Sequence, residues 1–132
     1  MQAPFRVRVG VDIVSVARIA RVDQRRPRFG ERVFTPSELA YCRGRKRQHE
    51  HMAARFAAKE AVLKAFGTGL GEGMRWTDLE IDRDSGGRPL VRLSGAAAAW
   101  ADREGLADID LSLSHTGELA IAHVVAVLRA TG

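Results

Sequence analysis

RFAAKEAVLKAFGTGLG, Arg55 to Gly71, decides how this chain folds. Met52, Phe56, Leu63 and Phe66 recur at spacings of four, seven and three, which is one face of a helix. Ala53, Ala57, Ala61 and Ala65 line a second face with small side chains. A helix apolar on two faces is packed on both sides. Lys59, Glu60 and Lys64 then border low-dielectric surroundings, where a charge is costly unless it meets a partner or ligand. Perturbed charges of that kind concentrate at functional sites. Lys59 lies among Phe56, Leu63 and Phe66, so its stem either snorkels the ammonium to solvent or finds a partner. Glu60 and Lys64 are four apart, the spacing of a helix ion pair worth about 0.3–0.5 kcal/mol when exposed.

Working outward, the helix spans about His51 to Phe66, and Gly67 supplies an easy left-handed cap. The loop GTGLGEG, Gly67 to Gly73, is not a phosphate-binding P-loop: it follows a helix instead of opening one, and Gly71 precedes Glu72 instead of Lys. Upstream, Phe5, Val7, Val9, Val11 and Ile13 alternate with Arg6, Arg8, Gly10 and Asp12, a strand with an apolar and a polar face. The apolar row is expected against the core, which sets Asp12 on the face away from it. Ser15 caps a helix running through Arg28, with Pro27 interrupting its end. Thr35-Pro36-Ser37-Glu38 is a helix start with Thr35 as cap, Pro36 as first helical residue and Glu38 closing a capping box; that helix runs to about Gly44.

Downstream, Leu79 and Ile81 alternate with Glu80 and Asp82, Asp84 to Gly87 turns, and Leu90 to Leu93 returns as the second strand of a hairpin. Ala96 to Arg103 is helical and Gly105 stops it. Ile109, Leu111 and Leu113 form a further strand, His115-Thr116-Gly117 turns the chain, and Leu119 to Leu128 is a long apolar strand expected at the centre of the sheet. The sum is an α+β fold in a single domain, 1–132, with an antiparallel sheet packed on a long helix.

The chain has 132 residues and a formal net charge of +5, which implies an acidic partner or ligand. Much of the excess is local: Arg18, Arg21, Arg25, Arg26 and Arg28 form one block, and Arg43, Arg45, Lys46 and Arg47 another. No apolar run approaches the ~20 residues of a membrane span, and MQAPFRVRVG lacks the apolar centre of a signal peptide. A single cysteine, Cys42, excludes an internal disulfide and fits a reducing cytoplasm; it reads as helix packing, since no activating neighbours are visible.

Chemistry-bearing residues fall in few places. Asp12 at a strand end, brought beside Glu60, makes a pair of carboxylates suited to magnesium, which takes one or two carboxylates, waters and phosphate oxygens. His115 lies beside Ser112, Ser114 and Thr116, a cluster able to donate to an anion. His123, inside an apolar strand, reads as a core or interface histidine. His49 and His51 flank Glu50 without a zinc spacing, and no Ser-His-Asp arrangement is supported.

With these residues in view the chain resembles the holo-acyl-carrier-protein synthases, the short class of phosphopantetheinyl transferases. The resemblance covers almost the whole chain and rests on GVDIVSVARI from Gly10, FTPSEL from Phe34, RFAAKEAVLKAFGTGLG, and LSLSHTGELAIAHVV from Leu111. It implies the 4′-phosphopantetheinyl transferase fold and transfer of phosphopantetheine from coenzyme A to a serine of apo acyl carrier protein, with adenosine 3′,5′-bisphosphate released. Asp12 and Glu60 match the family's magnesium-binding acids, manganese being the alternative ion. Glu60 also matches the residue that helps deprotonate the serine through water. Lys64 matches the lysine that steadies the pyrophosphate. Arg55, Lys64, Gly67, Gly69, His115 and Thr116 fall where relatives contact coenzyme A, and Arg18, Arg25 and Arg28 match the helix that docks the carrier. The resemblance further implies a cytoplasmic homotrimer with active sites between chains, serving fatty-acid or polyketide carriers.

The residues fit that chemistry independently. Attack at phosphorus asks for positioning and charge neutralisation more than covalent help, and the nucleophile belongs to the partner. The block Arg43 to Arg47 is a candidate for the 3′-phosphate. A nucleic-acid-binding module is the main competing reading, supported by charge and by RGRKR, and opposed by few aromatics and no binding motif. Nucleic acid and membrane are therefore not expected as partners. A catalytically inactive structural subunit is disfavoured by the presence of Asp12, Glu60 and Lys64 together.

Overall fold

A computed structural model describes residues 4–130. The outermost residues of the expected 1–132 domain, including the first three of MQAPFRVRVG, lie outside that range. Along the chain run β1 (Phe5–Ser15), α1 (Val16–Arg25), α2 (Phe29–Val33), α3 (Pro36–Arg43), α4 (Gln48–Phe66), a 3₁₀ turn (Trp76–Asp78), β2 (Leu79–Arg83), β3 (Pro89–Leu93), α5 (Gly95–Glu104), β4 (Leu106–His115) and β5 (Leu119–Arg129). The α+β expectation is borne out. β1, β5 and β4 form an antiparallel sheet with β5 at its centre, β2 and β3 form a separate hairpin, and α4 lies along β1 and β5.

Local chemistry sets the ends of these elements. The Ser15 hydroxyl accepts the Arg18 N–H at 3.2 Å and opens α1. That helix stops at Arg25, earlier than the expected Arg28. Pro27, which has no N–H to donate, stands between it and the short α2. The capping box of α3 forms as read: Thr35 N–H donates to Glu38 Oε1 at 2.8 Å, and Glu38 N–H to Thr35 Oγ1 at 3.2 Å. Gly67 ends α4 with φ 78°, its N–H bonded to the carbonyls of Leu63 and Lys64.

The faces of the sheet reverse the expectation from β1. Val7, Val9, Val11 and Ile13 point outward and are more than half exposed, whereas Gly10 and Val14 are buried against α4. Asp12 therefore faces the helix, not away from the core. β5 repeats the arrangement, with Ala120, Ala122, Val124 and Ala126 buried and Leu119, Ile121 and Val125 exposed. His123, paired across to Val11, lies on this outer apolar face and is exposed, not a core residue of the single chain. Small residues face inward because the backbones nearly touch: a Cβ on Gly10 would lie 1.9 Å from the Ala61 carbonyl oxygen and 2.9 Å from the Ala65 nitrogen. The alanine face of α4 is what admits the sheet so closely.

On the other side of α4, Lys59 does not snorkel. It is fully buried, and its ammonium donates to Glu38 Oε1 at 2.7 Å, to the Val33 carbonyl at 2.7 Å and to the Trp76 carbonyl at 3.2 Å. Glu38 Oε2 accepts the Ile81 N–H at 2.9 Å. One ion pair thus joins the ends of α2 and the 3₁₀ turn, the start of α3, and β2 to the middle of α4. Among the described residues no helix is long and apolar enough to cross a membrane.

Candidate functional site

Asp12, two residues past the close contact at Gly10, meets the turn of α4 that carries Glu60 and Lys64. The Lys64 ammonium donates to Asp12 Oδ1 at 2.9 Å and to the Val11 carbonyl at 3.1 Å. Lys64 is thus drawn to the strand aspartate, and among the described residues it forms no ion pair with Glu60. Burial raises the Glu60 carboxyl above the ordinary glutamate range, the Asp12 carboxylate raises it further, and Lys64 opposes both. All three side chains line one cleft of about 690 Å³, together with Ser15, Arg18 and Phe56.

The donor set suits a hard divalent cation. Two carboxylates line the cleft: Asp12 is paired with the Lys64 ammonium at 2.9 Å, and burial, then the Asp12 charge, disfavours the Glu60 anion. A cation placed between them removes that repulsion. Among the described residues no group of three His, Cys, Asp or Glu side chains is placed to hold a metal ion, so Asp12 and Glu60 are at most a two-carboxylate set.

A second cluster sits elsewhere on α4. Arg55 precedes Glu60 by five positions, roughly 140° around the helix, and Lys64 by nine, roughly 13 Å along it. It is 4% exposed, and its Nε is buried with no hydrogen-bond partner. With His51, Arg83 and His115 it borders a smaller pocket of about 200 Å³. His115 Nδ1 lies 3.8 Å from Glu50 Oε1. Burial, then Arg55, Arg83, His115 and Arg45, hold the His51 imidazole below its usual value, the signature of a positive potential. The Thr116 hydroxyl accepts the N–H groups of Glu118 and Leu119 at 3.1 Å, a turn-forming role. Gly67 and Gly69 follow Lys64 in left-handed conformation with open space where a Cβ would stand. One chain therefore does not gather the expected residues around one point. Asp12, Glu60 and Lys64 share a cleft, while Arg55 and His115 share a different pocket.

The basic residues also separate. Arg18 lines the carboxylate cleft, Arg25 ends α1, and Arg28 borders a groove of about 660 Å³ with Arg32, Leu70 and Arg75. In the second block Arg43 is committed to Asp23 at 2.5 and 2.8 Å, and Arg47 lies 3.6 Å from Glu50. Sequence reasoning missed Tyr41, His51 and Arg83. The signals available were slight: Tyr41 precedes Arg45 by four, and His51 precedes Arg55 by four.

The model of the 4′-phosphopantetheinyl transferase superfamily matches residues 8–124. A holo-[acyl-carrier-protein] synthase of Moorella thermoacetica is 50% identical over 86% of this chain and 88% of that protein. Among solved structures, the holo-[acyl-carrier-protein] synthase of Neisseria meningitidis superposes with TM-score 0.83 at 34% identity, covering 90% of this chain and 96% of that one. That of Bacillus anthracis, solved in complex with coenzyme A (3′,5′-ADP), superposes with TM-score 0.76 at 36% identity over 92% and 96%.

Proposed function

The chain belongs to the 4′-phosphopantetheinyl transferase superfamily, and from that premise we propose that it transfers the 4′-phosphopantetheine group of coenzyme A to a serine of an apo acyl carrier protein, releasing adenosine 3′,5′-bisphosphate. The observation that carries this reading is the convergence of Asp12, Glu60 and Lys64 on one cleft that is open to a partner. The cleft holds two acids and a lysine, and the one hydroxyl that lines it, Ser15, is committed to capping α1 by accepting the Arg18 N–H at 3.2 Å, which suits a reaction whose nucleophile arrives on the second substrate.

The step is a displacement at the phosphorus that bears pantetheine. The carrier serine oxygen forms a bond to it, and the bond to the bridging oxygen of the diphosphate breaks. The serine proton passes to Glu60 through water. Lys64, half exposed and 2.9 Å from Asp12, supplies positive charge for the departing phosphate. Asp12 and Glu60 are the residues that would hold Mg²⁺, or Mn²⁺ with the same oxygen donors. When bound there, such an ion would supply charge neutralisation for the diphosphate.

Carrier recognition follows from charge. Arg18 lies within the cleft itself, so an acidic helix docked there brings its serine beside Glu60. Arg25, seven residues along α1, lies on the same helix face as Arg18, and Arg28 adds positive charge at the separate groove beyond the end of α1. The outer row of β1 and β5 supports self-association. Val7, Val9, Val11, Ile13, Ile121 and Val125 form an exposed apolar surface of a kind monomers rarely carry, and a homotrimer would cover it. The enzyme then works as a single-domain protein of the cytoplasm, in fatty-acid or polyketide synthesis.

The test is product release. Purified protein, coenzyme A, Mg²⁺ and apo carrier are expected to yield adenosine 3′,5′-bisphosphate by chromatography, with none formed when carrier or metal is omitted. Release independent of the carrier refutes the proposal.

A further inference from the structure

Three guanidinium groups crowd one aromatic ring beside the smaller pocket. The Arg45 and Arg55 guanidinium carbons each lie 4.3 Å from the centroid of Tyr41, and that of Arg83 lies 5.6 Å away. His51 meets the same ring edge-on at 5.6 Å, and His115 is 6.2 Å from His51. Tyr41 comes from α3, Arg55 and His51 from α4, Arg83 from the end of β2, and Arg45 from the α3–α4 connection. Three of these elements are tied by the buried pair Lys59–Glu38, so the ring's place is fixed from beneath.

Charges of one sign should repel one another out of such an arrangement. Arg55 cannot leave: it is 4% exposed, with an unpartnered Nε. The nearest acid of the pocket, Asp82, is bound to Arg92 at 3.0 Å and caps the Arg83 N–H at 2.8 Å. Glu50 is taken up by Arg47 and His115. The negative face of an aromatic ring is the remaining counterweight, each cation–ring contact contributing about 0.5–1 kcal/mol when exposed and ~2 when desolvated. From these positions we propose that Tyr41 is a positioning residue: its ring holds Arg45, Arg55 and Arg83 converged in the unliganded protein, so that the pocket is preorganised for the anionic groups of the coenzyme. This rests on the transfer reaction inferred above. The ring, not the hydroxyl, does this, since no hydrogen bond of the Tyr41 hydroxyl is seen among the described residues.

The experiment replaces Tyr41 by Phe, which keeps the ring face, and by pentafluorophenylalanine, which keeps shape and burial while reversing the charge of the face. Inorganic pyrophosphate is the probe, followed by NMR of the His51 and His115 rings, alongside steady-state kinetics with coenzyme A and carrier. Wild type and Tyr41→Phe are expected to bind the probe alike. The fluorinated protein should bind it about tenfold more weakly, the size of three lost guanidinium–ring contacts at the exposed end of their range. Its KM for coenzyme A should rise by the same factor, with kcat and the KM for carrier within twofold. Equal probe binding by all three proteins overturns the assignment, as does an equal loss in kcat and in both KM values. A wild type that binds the probe and loses it on fluorination yet never turns over coenzyme A refutes the transfer reaction and leaves the ring's role standing.

Discussion

Gly10→Ala strikes the contact on which the carboxylate pair depends. The added methyl carbon would lie 1.9 Å from the Ala61 carbonyl oxygen, 2.9 Å from its carbon and 2.9 Å from the Ala65 nitrogen. All three are backbone atoms of α4, so no side chain can swing aside. Ordinary contact begins near 3.4 Å, so β1 must retreat by about 1.5 Å, the difference between 3.4 and 1.9. Overpacking of this kind typically costs 1–3 kcal/mol, which in a chain of this size lowers Tm by roughly 5–15 °C. Function should suffer more than stability. Asp12 is two residues from Gly10, and Glu60 adjoins Ala61, so the retreat opens the gap between the two acids directly. A misplacement of ~1 Å costs about 100-fold in rate. The assays are a thermal melt and initial rates of carrier modification at saturating coenzyme A and metal. A folded Gly10→Ala protein with Tm within 2 °C, and rate within threefold, of wild type would refute the claim that strand–helix contact sets the site.

Glu60→Gln should abolish transfer yet stabilise the metal-free protein at neutral pH by roughly 1–3 °C. Because the folded protein raises this carboxyl's pKa, its ionisation opposes folding; stability is greatest below the unfolded glutamate value and falls as pH rises through the folded one. The wild-type melt should therefore lose ground to Glu60→Gln across that window, and parallel curves would contradict it. Lys59→Met leaves the Glu38 carboxylate buried without its partner and should cost about 3–5 kcal/mol in urea denaturation. Adding Glu38→Leu should recover part of the loss, and a purely additive double variant would argue against the pair. Arg18→Glu should raise the KM for carrier about tenfold or more while leaving that for coenzyme A within twofold; the opposite split would move Arg18 out of the docking surface.

Alternation told which residues of β1 share a face but not which face is covered. Val7, Val9, Val11 and Ile13 are the larger hydrophobes, and hydrophobicity alone sends them inward. The structure buries Gly10 and Val14 because α4 offers Ala61 and Ala65, and only small groups fit beneath them. The clue lay in two matched rows, Ala53–Ala57–Ala61–Ala65 on the helix and Ala120–Ala122–Ala126 on β5, each too small for a distant packing partner. Glu38 was legible as half of a capping box, and its second oxygen's role in holding Ile81 was not, because that contact spans 43 residues of sequence. The same holds for Lys59, whose partner carbonyls at Val33 and Trp76 carry no sequence mark. Asp12, Glu60 and Lys64 were legible as a set from the motifs around them. The guanidinium cluster at Tyr41 was not, since four separate segments supply it.

Transfer is read from the intact mass of an apo acyl carrier protein incubated with coenzyme A, Mg²⁺ and this protein. The carrier should gain the mass of one phosphopantetheine on its serine with the wild type, and essentially none with Asp12→Ala or Glu60→Ala under the same conditions. A carrier left unmodified by the wild type, or modified as fast by both variants, would contradict it.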